Sequence, residues 1–361
     1  ITIKPESANQ VDLNLSNLSM TTAGEVLSVT FSGTNDVEVT GLNADVTTLD
    51  ASGMGTGGSV IQTGRSATVA STYTGSAGAD TFIMRNTSDV LAGGAGSDTL
   101  DINFAAILGG LNIDLSAANQ IVSMDGSAVS GTITGFENVD VSGYTGSFGA
   151  RIEAQAATAS TMIGTTNVDV FTGSSKADTI TFEEGETITA LGGNDTLKIA
   201  AADFVAISTT AVSVNAGDGT GDTLQITTAV SGASADADFA GFSNVEILDI
   251  TTDASNIIAA DNFFAAGLLT VDSTGATLNL DVTDPSSTET TATAPLKITG
   301  YDLNNTQEVF DFGGTATDDN IEIDFSQINL ATSVAGTKNG GVVVVTKSNG
   351  ADEAGGAVAI M

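Results

Sequence analysis

Gly93-Gly94-Ala95-Gly96-Ser97-Asp98-Thr99-Leu100-Asp101 fills every fixed position of the nonapeptide pattern G-G-x-G-x-D-x-U-x, where U is a large apolar residue. That order encodes a tight turn followed by a short strand. The glycines let the backbone bend sharply and aim its carbonyl oxygens inward. The aspartate adds a carboxylate, a hard oxygen donor of the kind that suits Ca²⁺. The leucine then opens a strand that points into a core. One such unit could arise by chance in a chain with 42 glycines, so its surroundings decide the reading.

The surroundings keep the period. Asp80, Asp89 and Asp98 recur every nine residues, and Phe82, Leu91 and Leu100 follow them at a constant offset. The first unit, Gly75-Ser76-Ala77-Gly78-Ala79-Asp80-Thr81-Phe82, departs from the pattern only at its second glycine. A second block reads Gly173-Ser174-Ser175-Lys176-Ala177-Asp178-Thr179-Ile180, then Gly192-Gly193-Asn194-Asp195-Thr196-Leu197. Asp-Thr-Leu occurs at 98–100, 195–197 and 222–224, each time followed by x-Ile. Asp222 closes Gly217-Asp218-Gly219-Thr220-Gly221-Asp222, with no clear partner one period away. A weaker copy, Gly314-Thr315-Ala316-Thr317-Asp318-Asp319-Asn320-Ile321, lies near the C-terminus.

These units resemble the repeats-in-toxin family of calcium-binding parallel β-rolls. The resemblance implies coils of about 18 residues, each with two turns and two short strands, and a Ca²⁺ ion between turns one coil apart. It implies as ligands the motif carboxylate and the carbonyls four and two residues before it. One site would then use Asp80 and Asp98 with the carbonyls of Ser76, Gly78, Gly94 and Gly96. A second would use Asp178 and Asp195 with the carbonyls of Ser174, Lys176, Leu191 and Gly193, where Lys176 and Leu191 replace glycines. Asp89, Asp222 and Asp319 join the candidate metal residues through their places in the remaining copies.

Composition narrows the function classes. The 361 residues carry 44 acidic and 9 basic side chains, a formal net charge of −35. Such an imbalance repels itself unless cations bind, and it argues against nucleic-acid binding, which needs Lys and Arg on the phosphates. Binding of calcium and adaptation to salty surroundings both fit, and the register of aspartates with glycine turns favours calcium. Acidic residues outside the turns read as solvated surface and Asx-turn residues. With no Cys and no His, disulfides, zinc centres, thiol nucleophiles and His-based catalysis are excluded. Hydrophobic content of 41% supports a core, while 5% aromatics and abundant small residues suit thin β-layers. No apolar run reaches the length that spans a bilayer, so no membrane insertion is expected. The start, Ile1-Thr2-Ile3-Lys4-Pro5, has no Met and no signal-peptide pattern, as expected of a processed chain or a piece of a longer one. The resemblance implies type I export from a bacterium, and the apolar end Gly355–Met361 is compatible with an uncleaved export signal or with a plain end strand.

Strand signals dominate the rest. Val11-Asp12-Leu13-Asn14-Leu15, Asp36-Val37-Glu38-Val39, Leu111-Asn112-Ile113-Asp114-Leu115, Leu278-Asn279-Leu280-Asp281-Val282 and Ile321-Glu322-Ile323-Asp324-Phe325 alternate apolar with polar residues, as half-buried strands do. Val342–Val345 reads as a strand buried on both faces. Short helices are expected within Ala201–Ile207 and Asn256–Leu269. Gly135-Phe136-Glu137-Asn138-Val139-Asp140 matches Gly241-Phe242-Ser243-Asn244-Val245-Glu246. Beside the nonapeptide blocks, this repeat resembles calcium-dependent bacterial surface-layer proteins. The expected fold is all-β: parallel β-roll or β-solenoid coils with calcium-binding turns, flanked by β-rich sandwich or solenoid segments. The expected division is 1–72, an N-terminal β region; 73–145 and 146–250, two calcium coil segments; and 251–361, a C-terminal β region, with 284–295 an exposed linker.

Catalytic readings are weaker. Asp101 with Asp114, or Glu183, Glu184 and Glu186, supply carboxylate pairs, but no aromatic sugar platform accompanies them. Gly53–Gly58 lacks the lysine and helix of a phosphate loop. A non-enzymatic, secreted, calcium-dependent structural protein that assembles with itself on the cell surface is the leading expectation. An adhesin or biofilm stalk, with cell-surface polysaccharide as partner, and a calcium module of a secreted polysaccharide-active enzyme are the alternatives.

Overall fold

Leu100 stacks on Phe82. The strand Thr99–Ile102 pairs in parallel with Thr81–Met84, and that register puts Leu100 beside Phe82 and Ile102 beside Met84. All four side chains are fully buried, whereas Thr81, Thr99 and Asp101 are half-buried, following the two-residue period of a strand except at Ile83, which is buried as well. The intervening nonapeptide does the same in a second sheet. There Val90–Ala92 pairs in parallel with Thr72–Thr74 and Leu91 lies against Tyr73. One coil thus contributes two strands and two turns, and like side chains stack on like in successive coils.

The structure is a computed structural model that describes residues 1–5, 10–22, 24–62, 69–103, 109–251, 254–259, 261–268, 270–273, 278–283, 296–299, 308–313, 321–323 and 343–348. It forms two compact units, residues Ile1–Ile180 and Thr181–Met361. Asp319, the 284–295 linker and the 355–361 tail lie outside the described residues.

In the first unit, one parallel sheet takes in order Val11–Leu15, Val37–Leu42, Val60–Gln62, Thr81–Met84, Thr99–Ile102, Asn138–Asp140 and Thr161–Ile163. A second takes Thr2–Ile3, Leu27–Gly33, Val46–Met54, Thr72–Thr74, Val90–Ala92 and Thr132–Thr134. A third sheet joins Leu111–Asp114, Ala150–Glu153 and Val170–Thr172 in parallel, and Ile121–Met124 adds to it as an antiparallel hairpin partner. The N-terminal flank therefore continues the solenoid-type stacking and is not a sandwich. Its neighbouring strands come from successive coils, whereas a sandwich is built from antiparallel hairpins.

The second unit repeats the plan. Thr196–Ile199, Thr223–Ile226, Ile247–Ile250, Thr270–Ser273, Leu296–Thr299 and Ile321–Ile323 run parallel in one sheet. Val230–Ser234, Ala254–Ala259, Leu278–Thr283, Glu308–Gly313 and Val343–Ser348 run parallel in another. A helix forms at Ala201–Ala206 as expected. The expected helix in Asn256–Leu269 is shorter, Asp261–Ala265, because the preceding Ala254–Ala259 is a strand. A 3₁₀ turn at Asp236–Phe239 lies between them in sequence. Phe204, Phe239 and Phe263, one from each, form a buried edge-to-face column with centroid spacings of 5.1 and 5.0 Å. The Asp236 carboxylate accepts from the N–H groups of Asn262 and Phe263, so one short turn caps the next.

Candidate cation-binding turns

Each described motif aspartate sits one residue before a strand, and the carboxylates of Asp80, Asp98, Asp178 and Asp222 reach back one coil. Asp80 accepts from the Val60 N–H at 2.5 Å, Asp98 from the Asp80 N–H at 2.8 Å, Asp178 from the Ser160 N–H at 2.7 Å and Asp222 from the Asp195 N–H at 2.8 Å. In the other sheets Asp89 accepts from the Ser71 N–H at 2.9 Å and Asp169 from the Ala150 N–H at 2.5 Å. These amides lie just ahead of the strands or, at Val60 and Ala150, on their first residue, and would otherwise be buried donors without acceptors. Two glutamates extend the pattern. Glu137 accepts from the Asp98 N–H at 2.9 Å, and Glu246 from the Asp222 N–H at 2.8 Å.

The second carboxylate oxygen divides the aspartates. Asp80 also accepts from the Ser76 N–H and hydroxyl at 2.6 and 3.0 Å, and Asp178 from the Ser174 N–H and hydroxyl at 2.6 and 3.1 Å. Asp169 does the same with the Thr165 N–H and hydroxyl at 2.6 and 2.9 Å. Asp89 takes the Arg85 and Asn86 N–H groups at 3.1 and 3.0 Å. In contrast, Oδ2 of Asp98 and Oδ2 of Asp222 are buried without a hydrogen-bond partner. Four residues before Asp98 stands Gly94, in the left-handed region at φ 114° and without a hydroxyl. Four before Asp222 stands Asp218, whose N–H goes to the Leu191 carbonyl at 2.8 Å.

The first expected ligand set does come together in adjoining coils. Gly94 and Gly96 lie over Ser76 and Gly78, so close that a side chain on either glycine would overlap the Ser76 or Gly78 carbonyl. The Ser76 carbonyl also accepts from the Ala95 N–H at 3.1 Å. For the second set, Asp178 and Asp195 fall in different units. Within the first unit, Ser174, Lys176 and Asp178 form one turn, with the Lys176 N–H on the Ser174 hydroxyl at 2.9 Å. Within the second unit, the carbonyls of Leu191 and Gly193 face Gly217 and Gly219, and Gly193 N–H donates to the Asp218 carbonyl at 3.0 Å. Asp222 thereby gains the partner that its spacing hid. Its coil takes in the Ala201–Ala206 helix, so Asp195 lies 27 residues earlier.

Burial dominates the electrostatics. It pushes Asp98 up to about 7; the charges of Asp80 and Glu137 add to the rise, and the Asp80 N–H opposes it. Burial likewise raises Asp80, Asp169, Asp178 and Asp222, each against the hydrogen bonds it accepts. Glu246 is raised by burial and, more weakly, by the charge of Asp222. Asp101 is lifted to about 6, chiefly by burial and then by Asp140, its neighbour in register, while Arg85 opposes the shift. The Asp114 carboxylate, a possible catalytic group by sequence, closes a local turn by accepting from the Ser116 N–H and hydroxyl at 2.9 and 2.6 Å.

Beside Asp222 opens a cleft of about 490 Å³ whose lining includes Gly193, Asn194, Asp218, Gly219 and Glu246. Oδ2 of Asp222 lies 2.5 Å from where a Cβ on Gly219 would stand, and the Gly193 carbonyl faces the same point. Oδ2 of Asp98 lies 2.7 Å from the corresponding position on Gly93, which the Gly135 carbonyl also faces. Among the described residues no three carboxylates gather closely enough to hold a metal ion by side chains alone. A cation here would combine one or two carboxylates with backbone carbonyls, a donor set that fits Ca²⁺.

Sequence reading missed Asp169, Glu137 and Glu246. Asp169 was findable, because Gly164-Thr165-x-x-x-Asp169 has the spacing of Gly75-Ser76-x-x-x-Asp80. The fold and turns define an acidic parallel β-stack with carboxylate-closed corners. No family model, curated protein or solved structure matches the chain. Among the described residues no helix is long and apolar enough to cross a membrane.

Proposed function

We propose that the protein is a secreted, calcium-dependent structural protein that assembles with itself into a cell-surface layer or filament. The buried, unpartnered carboxylate oxygens of Asp98 and Asp222 carry this reading. At Asp80, Asp89, Asp169 and Asp178, by contrast, hydrogen bonds engage both carboxylate oxygens, in a chain of net charge −35. A buried carboxylate oxygen without a donor is costly, and either a proton or a cation relieves it.

When bound, calcium supplies positive charge to these oxygens. The chain's own residues prepare the place. Asp80 and Asp195 N–H groups orient the two aspartates, Glu137 and Glu246 hold the next coil over them, and the Gly135 and Gly193 carbonyls add neutral donors. Because the donors come from separate coils, ion binding adds to folding stability, by about 2.7 kcal/mol per site at a hundredfold excess over Kd. Surface acids left unpaired on neighbouring molecules supply the repulsion that divalent ions remove on assembly. Negative-stain microscopy of the full chain with calcium and with chelator tests the proposal. Ordered sheets or filaments are expected with calcium only. Dispersed single particles in both conditions would overturn it, and separate rods that bind cell-surface polysaccharide would favour an adhesin.

A further inference from the structure

Two kinds of aspartate turn share the same plan, and they differ at the residue four positions before the carboxylate. At Asp80, Asp169 and Asp178 that residue is Ser76, Thr165 or Ser174. Its N–H and its hydroxyl both donate to the carboxylate, and a third donor arrives from the preceding coil. Three donors engage both oxygens of the carboxylate and partly offset the burial that raises it. At Asp98 and Asp222, both 0% exposed, one oxygen accepts a single N–H and the other has no hydrogen-bond partner. At both, and in the same geometry, the following coil sets a glutamate on the aspartate's own N–H. The Asp222 oxygen points to the space left by Gly219, which lines the open cleft together with Glu246.

We infer that Ser76, Thr165 and Ser174 occupy the role that a cation has in the other turns. This rests on the calcium reading above and sharpens it. Between these two kinds of turn, calcium binding is concentrated at Asp98 with Glu137 and at Asp222 with Glu246, while Asp80, Asp169 and Asp178 are closed without an ion; Asp195, with Leu191 four positions before it, is assigned to neither. The hydroxyl and N–H do for the second group what a hard divalent cation does for the first: they engage the buried carboxylate oxygens at a coil corner.

Calorimetric titration of calcium alone into the full chain, paired with melting in calcium and in chelator, tests the assignment. Asp98→Asn and Asp222→Asn are each expected to lose about one bound calcium. Ser174→Ala and Asp178→Asn are expected to keep the wild-type number and to lower the Tm equally in calcium and in chelator. Glu246→Gln can still accept the Asp222 N–H through its amide oxygen. It is expected to weaken one site at least tenfold while leaving the Tm in chelator no lower than that of the wild type, since the substitution removes a half-buried charge beside Asp222. Loss of a calcium in Ser174→Ala or Asp178→Asn, or an unchanged number in Asp98→Asn and Asp222→Asn, overturns the assignment and leaves the calcium reading standing. A wild-type chain that binds no calcium overturns both.

Discussion

At Asp98 one carboxylate oxygen takes the Asp80 N–H and the other has no donor, so burial lifts the group to about 7. The unfolded chain holds that proton far less tightly, with an ordinary aspartate value of about 3.9. Over this window the metal-free folded state binds more protons than the unfolded state, so metal-free stability falls as pH rises. The contribution is complete below the unfolded value and lost as pH climbs through about 7. Asp80, Asp169, Asp178 and Asp222 are raised too and act in the same direction. The Tm in chelator should therefore drop between about pH 5 and about pH 8. Asp98→Asn, whose amide oxygen can keep the Asp80 N–H bond, should flatten that drop. A chelator profile that is level or rising over this range in the wild type would remove the electrostatic basis of the turns.

At the scale of elements, the strands follow from local pattern and the coil lengths do not. Leu100, Phe82 and Leu91 are buried where the nonapeptide places them, because each turn starts a two-residue alternation. The hairpin between Asp98 and Glu137, and the helix between Asp195 and Asp222, lengthen single coils and break the nine-residue count. That is why Asp222 seemed partnerless. The G-F-x-N-V repeat aligns Glu137 with Ser243, yet the structural counterpart of Glu137 is Glu246. Register across coils is set by strand pairing, Thr99 with Asn138 and Thr223 with Ile247, which a linear repeat does not encode. The inserted turns carry their own core in Phe204, Phe239 and Phe263. Phe239→Ala should cost about 3–5 kcal/mol in denaturant unfolding, since it opens a cavity between two stacked rings. Hydrogen exchange in Ala201–Ala206 should speed up in the same variant. An effect below about 1 kcal/mol would show that the ring column is not a structural core.

For the whole molecule, a net charge of −35 and buried carboxylates at the coil corners have one physical consequence. The chain is poised between electrostatic repulsion and closure by donors, and at Asp98 and Asp222 one buried carboxylate oxygen has no hydrogen-bond partner. The acidic, nonapeptide character and the parallel β class were legible from spacing and composition. The division between hydroxyl-closed and open turns is carried by the residue four positions before the aspartate, but its meaning shows only once Ser76, Thr165 and Ser174 are seen to donate to the carboxylates. Thermal unfolding of the full chain at neutral pH, in millimolar calcium and in chelator at matched ionic strength, tests the central claim most directly. The Tm is expected to rise clearly with calcium, and to rise less in Asp98→Asn. Superimposable curves for the wild type would contradict it.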